Sequence, residues 1–413
     1  MRFLSLAFAP LAALLALPAM ADAPVPTKGE RALHERLLTL DTHLDTPASL
    51  VLPGWSIVQR HSAADDYTQV DVPRMVAGGL DGGFWAIYTP QGPLDPASTR
   101  AARDYALRRA VAIHAMVAAN PQAFALADRA ADAAQIAAGG RRVVYLSIEN
   151  AWPLGDDPTL LQAFYALGVR ISGFAHFKTN QFADSSTDAP KWDGLSPSGV
   201  QLLAEMNRLG VVPDLSHSSD AALDDALRLS KTPIILTHSG CKAVYDHPRN
   251  IDDAHLRALA AQGGVIQINS VYVKKLVQSP QRKAALDALE QRFPEDRVLS
   301  AAERADYLAQ RHAIDRQWPE VRAGFDDVMA NLLHALKVAG VDHVGIGLDW
   351  DGGGGVAGLD DVADLPKLTA ALLHAGYSEA DVAKIWSGNV LRVLAAAQAE
   401  AAREQAMAGA TLR

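Results

Sequence analysis

Six short motifs carry most of the reactive side chains of this chain: "DTHLDTP" at 41–47, "SIEN" at 147–150, "GFAHFKTN" at 173–180, "PDLSH" at 213–217, "LTHSGCKAVYDHPRN" at 236–250 and "IGLDWDG" at 346–352. In the first, His43 and Asp45 are two positions apart, so an extended backbone turns both to one side, where an imidazole and a carboxylate can share a metal ion. The others add Glu149, His176, His217, His238 and Asp349. Imidazole and carboxylate donors without thiolates suit Zn²⁺ or a similar borderline cation. His43 and Asp45 could hold one ion and His217 and His238 another, with Glu149 spanning both. Two ions roughly 3.5–4 Å apart can share a hydroxide, lower its pKa towards neutrality and polarise a scissile carbonyl, which is hydrolase chemistry. A lone H-x-D is more simply a hydrogen-bonded strand end. Four histidines and three carboxylates gathered on one face need a shared explanation, because each buried polar group must find a partner.

The segments before these residues suggest how they are gathered. Short apolar or β-branched runs recur at "LLTLDTHLD" (37–45), "GGFWAIYT" (82–89), "VVYLSIEN" (143–150), "GVRISGFAH" (168–176), "GVVPDLSH" (210–217), "PIILTH" (233–238), "GGVIQINS" (263–270) and "HVGIGLD" (343–349). Between them lie longer helical patterns such as "SPSGVQLLAEMNRLG", "SDAALDDALRLS" and "FDDVMANLLHALKVAG", which open on Ser or an acidic first turn. Eight strands each followed by a helix predict an α/β chain folded as a closed (β/α)8 TIM barrel, with the reactive residues at the C-terminal strand ends, where such barrels carry their sites. Residues 274–323 do not fit a minimal barrel. They read as a charged, largely helical insertion after the seventh strand, and a lid, a subunit contact or a solvated helix pair all fit its composition.

The chain has 413 residues, 49% hydrophobic and 21% charged, with a net charge of −9 and no basic block, which argues against a nucleic-acid partner. Its first 21 residues combine Arg2, an apolar run and Ala19-Met20-Ala21, and read as a secretory signal. An exported protein, periplasmic or secreted, is therefore expected, with residues 22–413 as one catalytic domain. An uncleaved anchor would need a longer apolar span than Pro10 and Pro18 leave. The single cysteine, Cys241, excludes an internal disulfide and reads as a small buried residue.

Taken in order, "DTHLDTP", "SIEN", "GFAHFKTNQFADSS", "PDLSH", "LTHSGCKAVYDHPRNIDD" and "IGLDWDG" resemble the membrane (renal) dipeptidase family of zinc peptidases, within the amidohydrolase-like barrels, over nearly the whole chain after the signal. The resemblance implies two Zn²⁺ per chain, with His43 and Asp45 on the first, His217 and His238 on the second, and Glu149 bridging. It implies that His176 helps hold the tetrahedral intermediate, and that Asp349 holds the attacking water and passes its proton to the leaving amine. Arg249 would take the substrate's C-terminal carboxylate through a bidentate fork, with Tyr272 among the substrate contacts. The implied substrates are free dipeptides, including those with a C-terminal D-residue.

The chain departs from the vertebrate pattern in its single cysteine, in having no C-terminal apolar tail and in the insertion, which alters the surroundings of Tyr272. Asp351 is expected in the Gly-rich turn rather than at the metals. Rival readings are another hydrolase of the superfamily, although those usually open with H-x-H, and a non-hydrolytic protein on the same barrel. The sequence leaves the native metal, the preferred side chains and a homodimer open.

Overall fold

The computed structural model describes residues 23–294 and 297–411, with side chains through residue 407. The proposed signal, 1–21, lies outside the described residues. Eight parallel strands follow one another around a barrel: β1 (Leu40–Leu44), β2 (Gly82–Ile87), β3 (Arg142–Ile148), β4 (Val169–Gly173), β5 (Val212–Asp214), β6 (Ile235–Cys241), β7 (Val265–Ile268) and β8 (Val344–Ile346). Each expected strand is present. The ring closes between β8 and β1 through the Leu44–Trp350 bridge, where Asp45 N donates to Trp350 O at 2.9 Å. Two short strands, Phe124–Leu126 and Asn250–Ile251, pair with β3 and β6 outside the ring and were not anticipated.

Every strand is followed by a helix: Val72–Ala77, Pro96–Ala119, Leu161–Ala166, Pro197–Leu209, Asp220–Leu229, Asp253–Gln262, Phe325–Ala339 and Pro366–His374. Local chemistry sets their ends. The Ser196 hydroxyl accepts from Gly199 N and the Ser219 hydroxyl from Ala222 N, while Gly210 stops its helix at φ 77°. The strands are buried on both faces, so they read as continuous apolar runs rather than alternating ones.

A further helix, Asn389–Thr411, was not singled out in the sequence. Its Val390, Val393, Leu394 and Ala397 cluster with Leu40, Val143, Val212, Ile235 and Val265, which lie at or next to the first positions of their strands. This helix therefore closes the N-terminal mouth of the barrel, leaving the C-terminal mouth for chemistry.

The insertion forms two helices, Pro280–Arg292 and Ala301–Gln317, with a small core of Leu289, Phe293 and Leu299 against Tyr307 and Ile314. It is tied to the loop after β1. Tyr67 Oη lies 2.8 Å from His312 Nδ1 and donates to Asp315 Oδ2 at 2.5 Å, and Arg304 Nη2 donates to Asp66 O at 2.9 Å. Among the described residues no helix is long and apolar enough to cross a membrane.

Candidate metal centre and substrate cavity

The predicted metal-binding and catalytic residues converge at the C-terminal mouth, although not all from strand ends. His43 lies within β1, His238 in the middle of β6 and Glu149 one residue past β3. His176, His217 and Asp349 each stand three residues beyond their strands. Ladder pairing stops where the backbone turns towards the axis, and His217 (φ 67°) and Asp349 (φ 66°) make that turn in the left-handed region, which is unusual for residues with a Cβ and recurs at functional sites.

Glu149 is the centre of the arrangement. Its Oε1 lies 3.2 Å from His176 Nε2, 3.4 Å from His217 Nε2, 3.7 Å from His43 Nε2 and 3.9 Å from His238 Nε2. His43 Nε2 is also 3.2 Å from Asp45 Oδ2 and 3.9 Å from Asp349 Oδ1, and it makes no well-formed hydrogen bond although buried. His217 Nε2 and His238 Nε2 are 2.8 Å apart. Three overlapping groups have the spacing to hold a cation: His43, Glu149 and His238; Glu149, His176 and His217; and His43, Asp45 and Asp349. Glu149 belongs to two of them, and these two divide the histidines as His43 with His238 and His176 with His217, a grouping different from the His43–Asp45 and His217–His238 pairs expected from the sequence. His176 stands close enough to be counted with the ligands, a proximity its position in the sequence did not reveal.

The surrounding hydrogen bonds prepare the ligands. Thr237 Oγ1 donates to Asp214 Oδ2 at 2.6 Å, so its lone pair is left to accept from His238 Nδ1 at 2.9 Å. That fixes the tautomer and leaves His238 Nε2 unprotonated towards the site, the form a metal ligand needs. Asp41, two residues before His43, accepts from His43 N at 2.9 Å and from Leu348 N at 3.1 Å, bracing β1 against β8, and burial pushes its carboxyl up to about 7. Sequence reasoning missed Asp41 and Asp214. The same alternation that paired His43 with Asp45 puts Asp41 on their face, so this signal was available.

Electrostatics here select a cation. Burial opposes a charge on His43, yet Asp45, Glu149 and Asp349 outweigh it and raise the ring to about 10. Burial would raise Glu149, but His176 and His43 hold it below its ordinary range. Burial keeps His217 and His238 well below theirs, as neutral donors, with the charge of Arg249 adding to it at His217 and that of His43 at His238. Burial lifts Asp349 to about 6, a suitable range for a proton acceptor near neutrality. Gly352 permits the close approach of the carboxylates, since a Cβ there would stand 2.0 Å from Asp45 Oδ2 and 2.3 Å from Asp349 Oδ1. Asp351 takes no part in the cluster. It accepts from Thr46 Oγ1 and Gln69 N, both at 2.6 Å, tying the loop after β8 to that after β1.

Above the cluster opens a cavity of about 600 Å³. Asp45, Glu149, His176, His217 and Asp349 line it at one end, with Tyr272 on the wall. Arg249 is not on that wall. It is buried, its guanidinium lies 5.4 Å from the Tyr272 ring centroid, Nη2 donates to His238 O at 2.9 Å, and Nε has no partner. The insertion supplies the opposite wall through Phe293, Leu299, Arg304 and Tyr307. Of the alternatives left open by its composition, the structure supports a covering of the site.

Comparison with known proteins identifies a family and related folds. A family model described as membrane dipeptidase (peptidase family M19) matches residues 27–408. Dipeptidase tcpJ of Claviceps purpurea is 30% identical over 344 residues, 82% of this chain and 71% of its own length. The crystal structure of the probable dipeptidase PvdM from Pseudomonas aeruginosa superposes with a TM-score of 0.76 at 32% identity, covering 90% of this chain and 98% of that one. A metallo peptidase from Rhodobacter sphaeroides, liganded with a phosphinate mimic of the dipeptide L-Ala-D-Ala, gives a TM-score of 0.69 at 26% identity, covering 87% and 99%.

Proposed function

The chain belongs to the membrane dipeptidase family of metal-dependent dipeptidases, and from that premise we propose that it is an exported, binuclear zinc dipeptidase acting on free dipeptides, those with a C-terminal D-residue included. The observation that carries the binuclear reading is Glu149 Oε1, faced by the Nε2 atoms of four histidines within 3.9 Å. His43 and Asp45 would hold one cation, His217 and His238 the other, and Glu149 both. His43 Nε2, buried among three carboxylates, and the bare Nε2 of His238 fit such ions. Bound there, the pair would supply Lewis acidity towards the scissile carbonyl and towards a water.

The remaining steps belong to the chain's own side chains. Asp349, 3.9 Å from His43 Nε2 and on the cavity wall, takes the proton of the attacking water and returns it to the leaving amine. His176 donates from its ring to the oxygen that becomes an oxyanion. Arg249, buried behind the cavity wall beside Tyr272 with Nη2 held by the His238 carbonyl, would reach the C-terminal carboxylate through its unpartnered Nε rather than through a bidentate fork. The ligand of the Rhodobacter sphaeroides relative is a phosphinate mimic of L-Ala-D-Ala, which supports tolerance of a C-terminal D-residue. Export rests on Arg2, the apolar run after it and Ala19-Met20-Ala21. The test is hydrolysis of a panel of L,L- and L,D-dipeptides by the Zn²⁺-loaded protein, with N-blocked dipeptides and tripeptides as controls. Turnover of the free dipeptides alone is expected, and equal turnover of tripeptides would refute the assignment.

A further inference from the structure

Phe177 and Val298 are 45% and 51% exposed, and both line the cavity over the metal cluster. Phe177 follows β4, its ring centroid 4.0 Å from that of His176 and 5.1 Å from that of His217, so it borders the reacting end. Val298 belongs to the insertion, where Phe293, Leu299 and Tyr307 line the same cavity. Apolar surface left open inside a concave site marks a place where a ligand completes the packing.

The charged groups lining the cavity point the same way. Arg297 donates to Glu303 Oε1 at 2.6 Å, Arg304 to Asp66 O at 2.9 Å and Arg109 to Pro47 O at 2.6 Å. These guanidinium groups are engaged with the protein, and Glu290 on the same wall disfavours an acidic ligand. A cavity of about 600 Å³ also exceeds what a dipeptide of Gly or Ala fills, lying within the roughly 300–1,000 Å³ range of sites for larger ligands.

We infer that the insertion is the specificity element of this enzyme: Phe177 and the apolar insertion wall around Val298 form a subsite for a large aliphatic or aromatic side chain of the dipeptide. This rests on the dipeptidase reading above. A hydrophobic subsite discriminates side chains by roughly 10- to 200-fold, so Leu- and Phe-containing dipeptides should exceed Ala-Ala in kcat/KM by at least about tenfold. Val298 is half exposed, so Val298→Asp can place a charge on the wall without emptying a core, and Val298→Ile keeps its apolar character.

The experiment measures kcat and KM of the metal-loaded wild type, Val298→Asp and Val298→Ile on Ala-Ala and on Leu- and Phe-containing dipeptides, with thermal unfolding of each as a check on folding. The expected result is that the preference ratio of large over small substrates falls about tenfold in Val298→Asp, mainly through KM, and is kept in Val298→Ile. A wild type without preference, or the same ratio in all three proteins, overturns the subsite while leaving the dipeptidase reading in place. Failure of the wild type to cleave any dipeptide overturns both. Should Val298→Asp not fold, Phe177→Asp, on the barrel side of the cavity, must lower the same ratio, and an unchanged ratio there is equally fatal.

Discussion

At the scale of single residues, the donors were legible because their chemistry is local: each is a reactive side chain at the end of an apolar run. Their partners were harder to see. Asp214 and Thr237 lie in different motifs, and only the β5–β6 neighbourhood shows that together they set the tautomer of His238. Arg249 was legible as a cation, but its hydrogen bond to the His238 carbonyl appears only in three dimensions. Two predictions belong here. Asp349→Asn keeps the shape of the side chain and loses the proton acceptor, so kcat should fall roughly 10²–10⁴-fold with metal content retained. Joint loss of metal and activity would make Asp349 a ligand instead. Arg249→Met should lower kcat/KM for free dipeptides about 10- to 150-fold, from a charge-assisted contact worth ~1.5–3 kcal/mol. A dipeptide amide lacks the carboxylate and should lose little more in the variant, so equal loss on acid and amide would remove Arg249 from substrate binding.

At the scale of elements, the eight barrel strands could be read because β-branched runs alternate with capped helical patterns. The two short flanking strands could not, since two or three residues carry no periodicity. The insertion was visible as a break in the pattern, but its place over the site depends on contacts with Asp66 and Tyr67, more than 200 residues earlier. A similar distant contact anchors the N-terminal helix Lys28–His34. Trp386 Nε1 donates to Thr369 Oγ1, whose hydroxyl is 2.7 Å from His34 Nδ1, while His34 Nε2 donates to Gly78 O at 2.8 Å. Every group in this chain is satisfied by a neutral imidazole, and burial pushes His34 from 6.5 down to about 4. Between those values the unfolded chain binds a proton that the native one refuses, so stability is full above about pH 6.5 and is lost as pH falls towards 4. The shift corresponds to on the order of 3 kcal/mol at ~1.4 kcal/mol per unit. Urea denaturation of wild type and His34→Gln at pH 7 and pH 4 should show a smaller acid loss in the variant, and equal losses would rule out His34 as the source.

At the scale of the whole molecule, the barrel separates stability from chemistry. The helix Asn389–Thr411 packs Leu394, fully buried, into the N-terminal mouth, while the donors gather at the opposite one. Leu394→Ala should therefore cost about 2–5 kcal/mol of stability, as large-to-small core changes do, while kcat per folded molecule stays at the wild-type value. Denaturation midpoints and single-substrate kinetics on the same preparation check this. A matching fall in kcat would mean that the two mouths are coupled. The central claim is that one carboxylate organises two cations, and metal content tests it most directly. Elemental analysis of the purified, Zn²⁺-loaded protein should give about two ions per chain, with both lost together in Glu149→Ala because each loses a ligand at once. A wild-type preparation fully active with one ion, or a Glu149→Ala variant that keeps two, would contradict it.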